Sequence, residues 1–268
     1  MVAMLTDLEA REALHVLVLH QLADAVPAGT LVLKGGVNLR LFFGSRRFSE
    51  DLDLDLDHGA HETFVSVVHA TLTGARLRTR LSALGVERLD YAGRPAKNTD
   101  TTVRFKLGVV NRGGIRLPTR IEASLRGGPE DDFAVREVAD DAIARRYLTA
   151  ADGALEVCHY ARAAAVRQKI QALASRTMPQ ARDVFDLWVL TGGDAKTVDL
   201  AGLRRGLAAA DLEEAGRRAW AIGYEQFRGQ VVEFLAAEDQ LVFEDAREWE
   251  RRQLFVAELL EVVLRTPT

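Results

Sequence analysis

Between Phe48 and Asp57 the chain reads Phe-Ser-Glu-Asp-Leu-Asp-Leu-Asp-Leu-Asp, with polar and apolar residues in strict alternation from Asp51 onward. A period of two belongs to a β-strand, in which successive side chains point to opposite faces. Leu52, Leu54 and Leu56 therefore share one face and Asp51, Asp53, Asp55 and Asp57 the other. The strand is half-buried: its leucines require a core, and its aspartates require water or a cation. Same-face residues stand roughly 6 to 7 Å apart, so these carboxylates repel one another unless something positive sits among them. Mg²⁺, which takes one or two protein carboxylates and completes its shell with substrate phosphates and water, meets that need. The competing reading is a solvated edge strand whose charge discourages aggregation. A calcium loop is excluded, because it demands Gly at its sixth position and Glu at its twelfth. Counted from Asp53 those positions hold His58 and Phe64, and counted from Asp51 they hold Leu56 and Glu62.

The segment before the acidic strand supplies a second half of a site. Leu31, Val32 and Leu33 suit a buried strand, Lys34-Gly35-Gly36 a turn, and Val37 to Phe43 a helix. Two glycines at a helix start let the backbone approach a ligand and aim its N–H groups at a phosphate, helped by the helix dipole. A Gly-Gly pair alone is more often just a tight turn, and the sequence matches neither a P-loop nor a GxGxxG fingerprint. A phosphate cradle followed by an acidic metal strand, however, makes the two parts of a phosphoryl-transfer site, where catalysis is mostly positioning and charge neutralisation.

Around this pair the chain divides. A helix is expected from about Leu5 to Ala25, stopped by Pro27 and Gly29, and another after His61 up to about Gly74. Further strands are expected at Val86 to Tyr91, Thr101 to Val110 and Leu117 to Ser124, with Gly127, Gly128 and Pro129 breaking the pattern. Beyond about Asp140 only helices are expected: Leu155 to Ala174, Arg182 to Leu190, Leu203 to Leu207, Leu212 to Phe234 and Glu244 to Leu264. The reading is two domains, a mixed α/β half over residues 1–140 and an all-helical half over 141–268.

Composition adds limits. The 268 residues are 48% apolar, enough for a substantial core. A net charge of −4 from 35 basic and 39 acidic residues leaves ample material for a local basic surface, so a nucleic-acid partner is not excluded. One cysteine, Cys158, permits neither an internal disulfide nor a cysteine-based zinc site, consistent with a reducing cytoplasm. No secretory signal or membrane span is readable, and a cytoplasmic protein without a membrane partner is expected.

In the helical half, Arg162, Lys169 and Arg176 recur every seven residues and share one helix face, which either tracks phosphates or is simply solvated. Asp183 and Asp186 follow at helical spacing beside Phe185 and Trp188; Asp183 also suits the dipole at a helix start. The six histidines show no metal-ligand pairing and are taken as packing or surface residues.

Taken together, the run LVLKGGVNLRLFFGSRRFSEDLDLDL, then RQKIQALASR and RDVFDLWVL, resembles the AbiEii/AbiGii nucleotidyltransferase toxins of type IV toxin-antitoxin systems, the group that includes the mycobacterial MenT toxins. The likeness runs from about Leu31 to Leu190. It implies an α+β chain: a polymerase-β-like nucleotidyltransferase core with a mixed sheet, followed by an all-helical C-terminal domain. It also implies transfer of a nucleotide from an NTP to the 3′ end of tRNA, which blocks aminoacylation, and an antitoxin protein as partner.

Position by position, the resemblance places the triphosphate at Lys34, Gly35, Gly36 and Ser49, and Mg²⁺ on Asp51 and Asp53. Lys169 corresponds to a helical lysine that contacts phosphate, with Arg176 nearby, and Asp183 to the acid of an Arg-Asp motif in which Asp186 is a second candidate. Glu122 is inferred as a third carboxylate serving the attacking hydroxyl. Asp55 and Asp57 are expected to be bystanders. Relatives carry Thr or Ser after the two glycines, so Val37 removes a hydroxyl and is expected to alter nucleotide affinity. Transfer onto a protein side chain, and a catalytically silent module whose acidic face docks a basic partner, are the alternatives.

Overall fold

The computed structural model describes residues 5–27, 29–125 and 134–267 and divides into two compact units. The first comprises the chain up to Phe42 together with Phe48–Tyr160, and the second Phe43–Arg47 together with the chain from Ala161 onward. Gly127, Gly128 and Pro129 lie outside the described residues.

In the first unit, α1 (Asp7–Ala25) opens on a capping box in which the Glu9 N–H donates to the Thr6 hydroxyl and the Thr6 N–H donates to the Glu9 carboxylate. Its apolar residues are buried almost all round, as in a helix sunk into a core rather than laid on one. β1 (Leu31–Lys34) leads directly into α2 (Gly35–Phe42), so the expected three-residue turn is divided, with Lys34 ending the strand and Gly35 and Gly36 opening the helix. β2 (Leu52–Leu56), α3 (His61–Thr73), α4 (Ala75–Ala83), β3 (Val86–Tyr91), β4 (Lys97–Thr99), β5 (Thr102–Asn111), β6 (Arg116–Ser124), β7 (Ala134–Val138), α5 (Asp141–Ala144) and β8 (Glu156–Tyr160) follow.

The eight strands form one mixed sheet in the order β3-β5-β6-β2-β1-β8-β7, with β4 on β5. β2 runs antiparallel to β1 and parallel to β6, and β1 is parallel to β8. One face carries Leu33, Leu52, Leu54, Leu56, Val103, Phe105, Val109 and Ile121 into a core closed by α1, α3 and α4. The acidic strand is shorter than its alternation: it runs over Leu52–Leu56, so Asp51 stands just before it.

Residues 134–160 join this sheet. The sequence reading placed the division at 140/141 and expected no strand beyond it; β8 overturns the latter. Its five residues lie between β1 and β7 and, being mostly buried, do not alternate cleanly.

The second unit is helical. It contains α6 (Arg162–Ser175), α7 (Ala181–Thr191), α8 (Leu200–Arg205), α9 (Ala209–Ala221), α10 (Tyr224–Gln230), α11 (Ala237–Phe243) and α12 (Ala246–Arg265). The expected helix over Leu212 to Phe234 is broken at Ile222–Gly223 into α9 and α10. Its core is aromatic: Phe227 stacks on Trp249 at 4.7 Å between ring centroids, and Phe185 meets Phe243 edge-on at 5.8 Å. Gly192, in the left-handed conformation, ends α7.

Candidate active site

Registry places the charged residues of the first unit in rows across the sheet. Lys34 of β1, Asp53 of β2, Glu122 of β6 and Arg104 of β5 are successive partners, hence side by side on the face opposite the core. Asp55 and Ser124 occupy the next row.

Gly35 explains why a glycine must precede the helix. Its φ is +69°, and a Cβ there would lie 2.8 Å from Asp53 Oδ2. The Asp53 carboxylate therefore lies against the backbone where α2 begins, bringing the acidic strand to the glycine pair. Gly36 and Val37 are buried, and Val37 is part of the core.

Each neighbouring carboxylate has its own arrangement. Asp51 Oδ2 is 2.9 Å from an Arg120 guanidinium nitrogen. Ser49 donates its hydroxyl to the Asp51 carbonyl at 2.8 Å, fixing the approach to β2. Thr119 donates to the Glu50 carbonyl at 2.6 Å, so the 2.7 Å contact between His15 Nε2 and the same hydroxyl is an N–H from neutral histidine. Burial, with Arg11 adding to it, lowers the His15 pKa to about 3, in keeping with that tautomer. Glu122 accepts from Arg104 and lies 3.9 Å from Arg120. The Glu122 hydrogen bond, reinforced by Asp51 and Asp53, raises the Arg104 pKa above its ordinary value. Asp55 is buried, ion-paired with Lys34, and accepts from the Tyr160 hydroxyl at 2.5 Å. Asp57 is exposed and caps the following turn through the Gly59 N–H.

Among the described residues no three His, Cys, Asp or Glu side chains form a metal-holding cluster. Asp51, Asp53 and Glu122 are all half-buried, and one or two carboxylates are what Mg²⁺ takes from a protein when phosphates supply the rest.

Lys169, Arg176, Asp183 and Asp186 come together in the second unit. Lys169 Nζ is 2.6 Å from Asp186 and 3.1 Å from Asp183, and Arg176 Nε is 3.0 Å from Asp183. Arg47 lies 3.5 Å from Asp186. Both aspartates are fully buried. Burial alone would depress the Lys169 pKa, but Asp186 and Asp183 outweigh it and raise it. Burial likewise opposes ionisation of Asp186, and Lys169 and Arg47 override it to hold the carboxyl below the usual range. The face of Arg162, Lys169 and Arg176 is thus engaged while Arg162 and Arg176 stay exposed: Arg162 donates to the Leu190 carbonyl at 2.6 Å, and the other two bind the acids of α7.

The family model for the nucleotidyl transferase AbiEii toxin of type IV toxin-antitoxin systems matches residues 17–261. The chain belongs to the AbiEii nucleotidyltransferase toxin family. Three solved structures share the fold of this AbiEii chain. JHP933 from Helicobacter pylori aligns with 19% identity and a TM-score of 0.57 over 98% of this chain and 94% of its own. A putative nucleotidyltransferase from H. pylori aligns with 20% identity and a TM-score of 0.56, covering 95% and 93%. MenT4, a nucleotidyltransferase toxin from Mycobacterium tuberculosis H37Rv, aligns with 20% identity and a TM-score of 0.57, covering 96% and 93%. No curated protein matches. The α+β architecture, mixed sheet and helical C-terminal region agree with this family.

Reading the sequence missed Arg104, Arg120, Tyr160 and the His15–Thr119 pair. Arg120 lies two residues before Glu122 and so on the same strand face, and Arg104 follows once β5 is paired with β6. No local signal marks Tyr160, which depends on β8 joining the sheet.

Proposed function

We propose that this toxin-family transferase moves a nucleoside monophosphate from an NTP to the 3′ end of tRNA, blocking aminoacylation and hence translation. The observation that carries the reading is the approach of the Asp53 carboxylate to the backbone at Gly35, which sets an acidic pair beside a helix start that offers N–H groups to phosphate. The acceptor's 3′ oxygen attacks the α-phosphorus, the bond to the β-phosphate oxygen breaks, and pyrophosphate leaves with that electron pair. Lys34, Gly35, Gly36 and Ser49 are assigned to the nucleotide. Asp51 and Asp53 would hold Mg²⁺, which when bound neutralises phosphate charge and orients the reacting oxygens.

Glu122, one strand from Asp53, is assigned to the proton of the attacking hydroxyl. It already accepts from Arg104, and its contribution is expected at the low end of general-base catalysis, about 10²-fold. In the second unit Lys169 and Arg176 are assigned to phosphate. With Arg47 they set three cations against the two carboxylates Asp183 and Asp186, a positive surplus suited to a polyphosphate. A polyanionic acceptor is supported by Lys97, Lys106, Arg88 and Arg116, exposed on the aspartate side of the sheet. The family membership supports an antitoxin partner. No helix among the described residues is long and apolar enough to cross a membrane, and we place the protein in the cytoplasm.

Labelled NTPs, Mg²⁺ and total tRNA test the reading. Label should enter tRNA with wild type and not with Asp51→Ala; no transfer by wild type, or undiminished transfer by the variant, sinks it. Label entering protein instead would select the side-chain acceptor.

A further inference from the structure

Asp51 and Asp53 are held in place by different means. Asp53 lies inside β2, opposite Lys34 on one side and Glu122 on the other, so two ladders set its position. Asp51 precedes the strand, and β6 grips that approach from both faces of the sheet. Thr119 and Arg120 are consecutive in β6 and so point to opposite faces. On the site side, Arg120 Nη2 lies 2.9 Å from the Asp51 carboxylate. On the core side, the Thr119 hydroxyl donates to the Glu50 carbonyl at 2.6 Å. The register accounts for this second bond. Leu52 stands opposite Ile121 in the parallel pair, and continuing backward by two residues sets Glu50 opposite Thr119. The hydroxyl therefore carries the attachment of β2 to β6 past the first residue of the strand.

Thr119 is an exception on its face of β6, where its neighbours Leu117, Ile121 and Ala123 are buried and apolar. A second polar residue meets it there: His15 of α1 is 1% exposed, and its Nε2 lies 2.7 Å from the same hydroxyl. The single hydroxyl proton goes to Glu50, so the histidine donates, and the groups form one directed chain from His15 N–H through Thr119 O–H to the Glu50 carbonyl. Arg11, one turn before His15, lies 4.0 Å from the Glu50 carboxylate, and α1 thus reaches the same residue by a second route. An apolar pair in place of His15 and Thr119 would fill this part of the core with little loss of stability. What it would not do is hold a carbonyl one residue from Asp51.

We propose that His15 and Thr119 are positioning residues for Asp51: their hydrogen-bonded chain fixes the Glu50 carbonyl, and with it the peptide that carries Asp51 into the site. This rests on the role given to Asp51 under the proposed function. It does not require a free carboxylate, since Arg120 orients that side chain from the other face.

The test uses the full chain and four readouts: transfer from labelled NTP to total tRNA, Mn²⁺ binding followed by the paramagnetic signal of the free ion, amide exchange at Asp51 and Leu52, and the urea midpoint. Thr119→Val should lower transfer at saturating NTP by up to about 10²-fold, the scale for a displaced reacting group, with the KM for NTP little changed. It should also weaken Mn²⁺ binding and hasten exchange of both amides. Thr119→Ser keeps the hydroxyl and should stay close to wild type in all of these. His15→Leu leaves the hydroxyl unaimed and should give a smaller loss in the same sense. Added to Thr119→Val it should lower transfer no further, because the chain is already broken. Ile121→Val trims packing on the same face and should lower the urea midpoint without lowering transfer. Thr119→Val that behaves like Thr119→Ser overturns the proposal. So do losses of transfer that follow the urea midpoint across all the variants, Ile121→Val included, or that multiply in the double variant, since either marks a purely structural role. Wild type that transfers no nucleotide defeats the proposed reaction, and this inference then stands if Thr119→Val still weakens Mn²⁺ binding and hastens exchange, and falls if it does neither. Wild type that binds no Mn²⁺ at millimolar concentration overturns the inference along with the metal assignment.

Discussion

Two charged clusters, one in each unit, are built from the same residue types and reach opposite ends. On the sheet, Asp51, Asp53 and Glu122 remain half-exposed, with their arginines reaching in from neighbouring strands. Among the helices, Asp183 and Asp186 have no exposure, and Lys169 is clamped between them. The first cluster leaves its carboxylates where water or a cation can still reach them. The second has exchanged solvation for ion pairs, and removing one partner strands another in the interior. Mutations in the first should therefore alter chemistry and spare the fold, while mutations in the second should do both.

The largest contrast is expected from Asp51→Asn and Asp53→Asn. Each should lower nucleotide transfer by about 10³-fold or more, the scale of lost charge stabilisation in a transfer site, while the urea midpoint moves little. A large shift of that midpoint would erase the distinction between the clusters. Next comes Asp186→Ala, which leaves Lys169 and Arg47 short of a partner. It should cost about 3 to 5 kcal/mol in urea unfolding, the usual price of breaking a buried pair, and a cost near zero would show the pair to be open to water. Gly35→Ala should cost about 1 to 3 kcal/mol, from its positive φ and the displaced Asp53 carboxylate, and reduce transfer more than that loss explains.

Acid sharpens the comparison. His15 has a folded pKa of about 3 against about 6.5 when unfolded, so the unfolded chain binds the extra proton and stability falls as pH drops through that window. Asp186, with its pKa lowered, contributes stability that is present above about pH 4 and lost as pH falls through its folded value. His15→Gln should flatten the stability profile between about pH 6.5 and 4, and Asp186→Asn should flatten only the more acidic part; equal flattening by both would break the separation. The smallest effect is Lys106→Glu, which should lower transfer a few-fold at low salt and hardly at all at high salt.

How far the sequence revealed this depended on whether a residue's partner lay nearby in the chain. The alternation of Leu52, Leu54 and Leu56 with aspartates requires no distant information, and the buried leucine face follows from it. The same holds for the glycine pair that opens α2. Distant pairing was hidden. Asp51, Asp53 and Asp55 look equivalent by spacing, and contacts from other elements, among them Arg120, Gly35, Lys34 and Tyr160, tell them apart. β8 was misread as helix because a strand flanked on both sides loses its alternation, and its helical neighbour extended the apolar pattern backward. Arg162 and Lys169 share α6 as expected, whereas Arg176 lies just past its end as the C-cap, and the pairing of Lys169 and Arg176 with the acids of α7 depends on packing that periodicity does not encode.

The short return of the chain through Phe43–Arg47 constrains how the protein is made and dissected. Arg47 belongs to the helical unit and meets Asp186, 139 positions later. During synthesis it leaves the ribosome long before the helix that will receive it, so the helical unit cannot close until α7 has emerged. A gene fragment cut at Ala161 would omit both Arg47 and Phe43, whose ring lies under the Arg162 guanidinium at 4.8 Å. Fragment-complementation or separate-expression experiments must therefore carry a short N-terminal peptide along with the helices, or they will measure a helical unit that lacks one of the cations facing the buried Asp186.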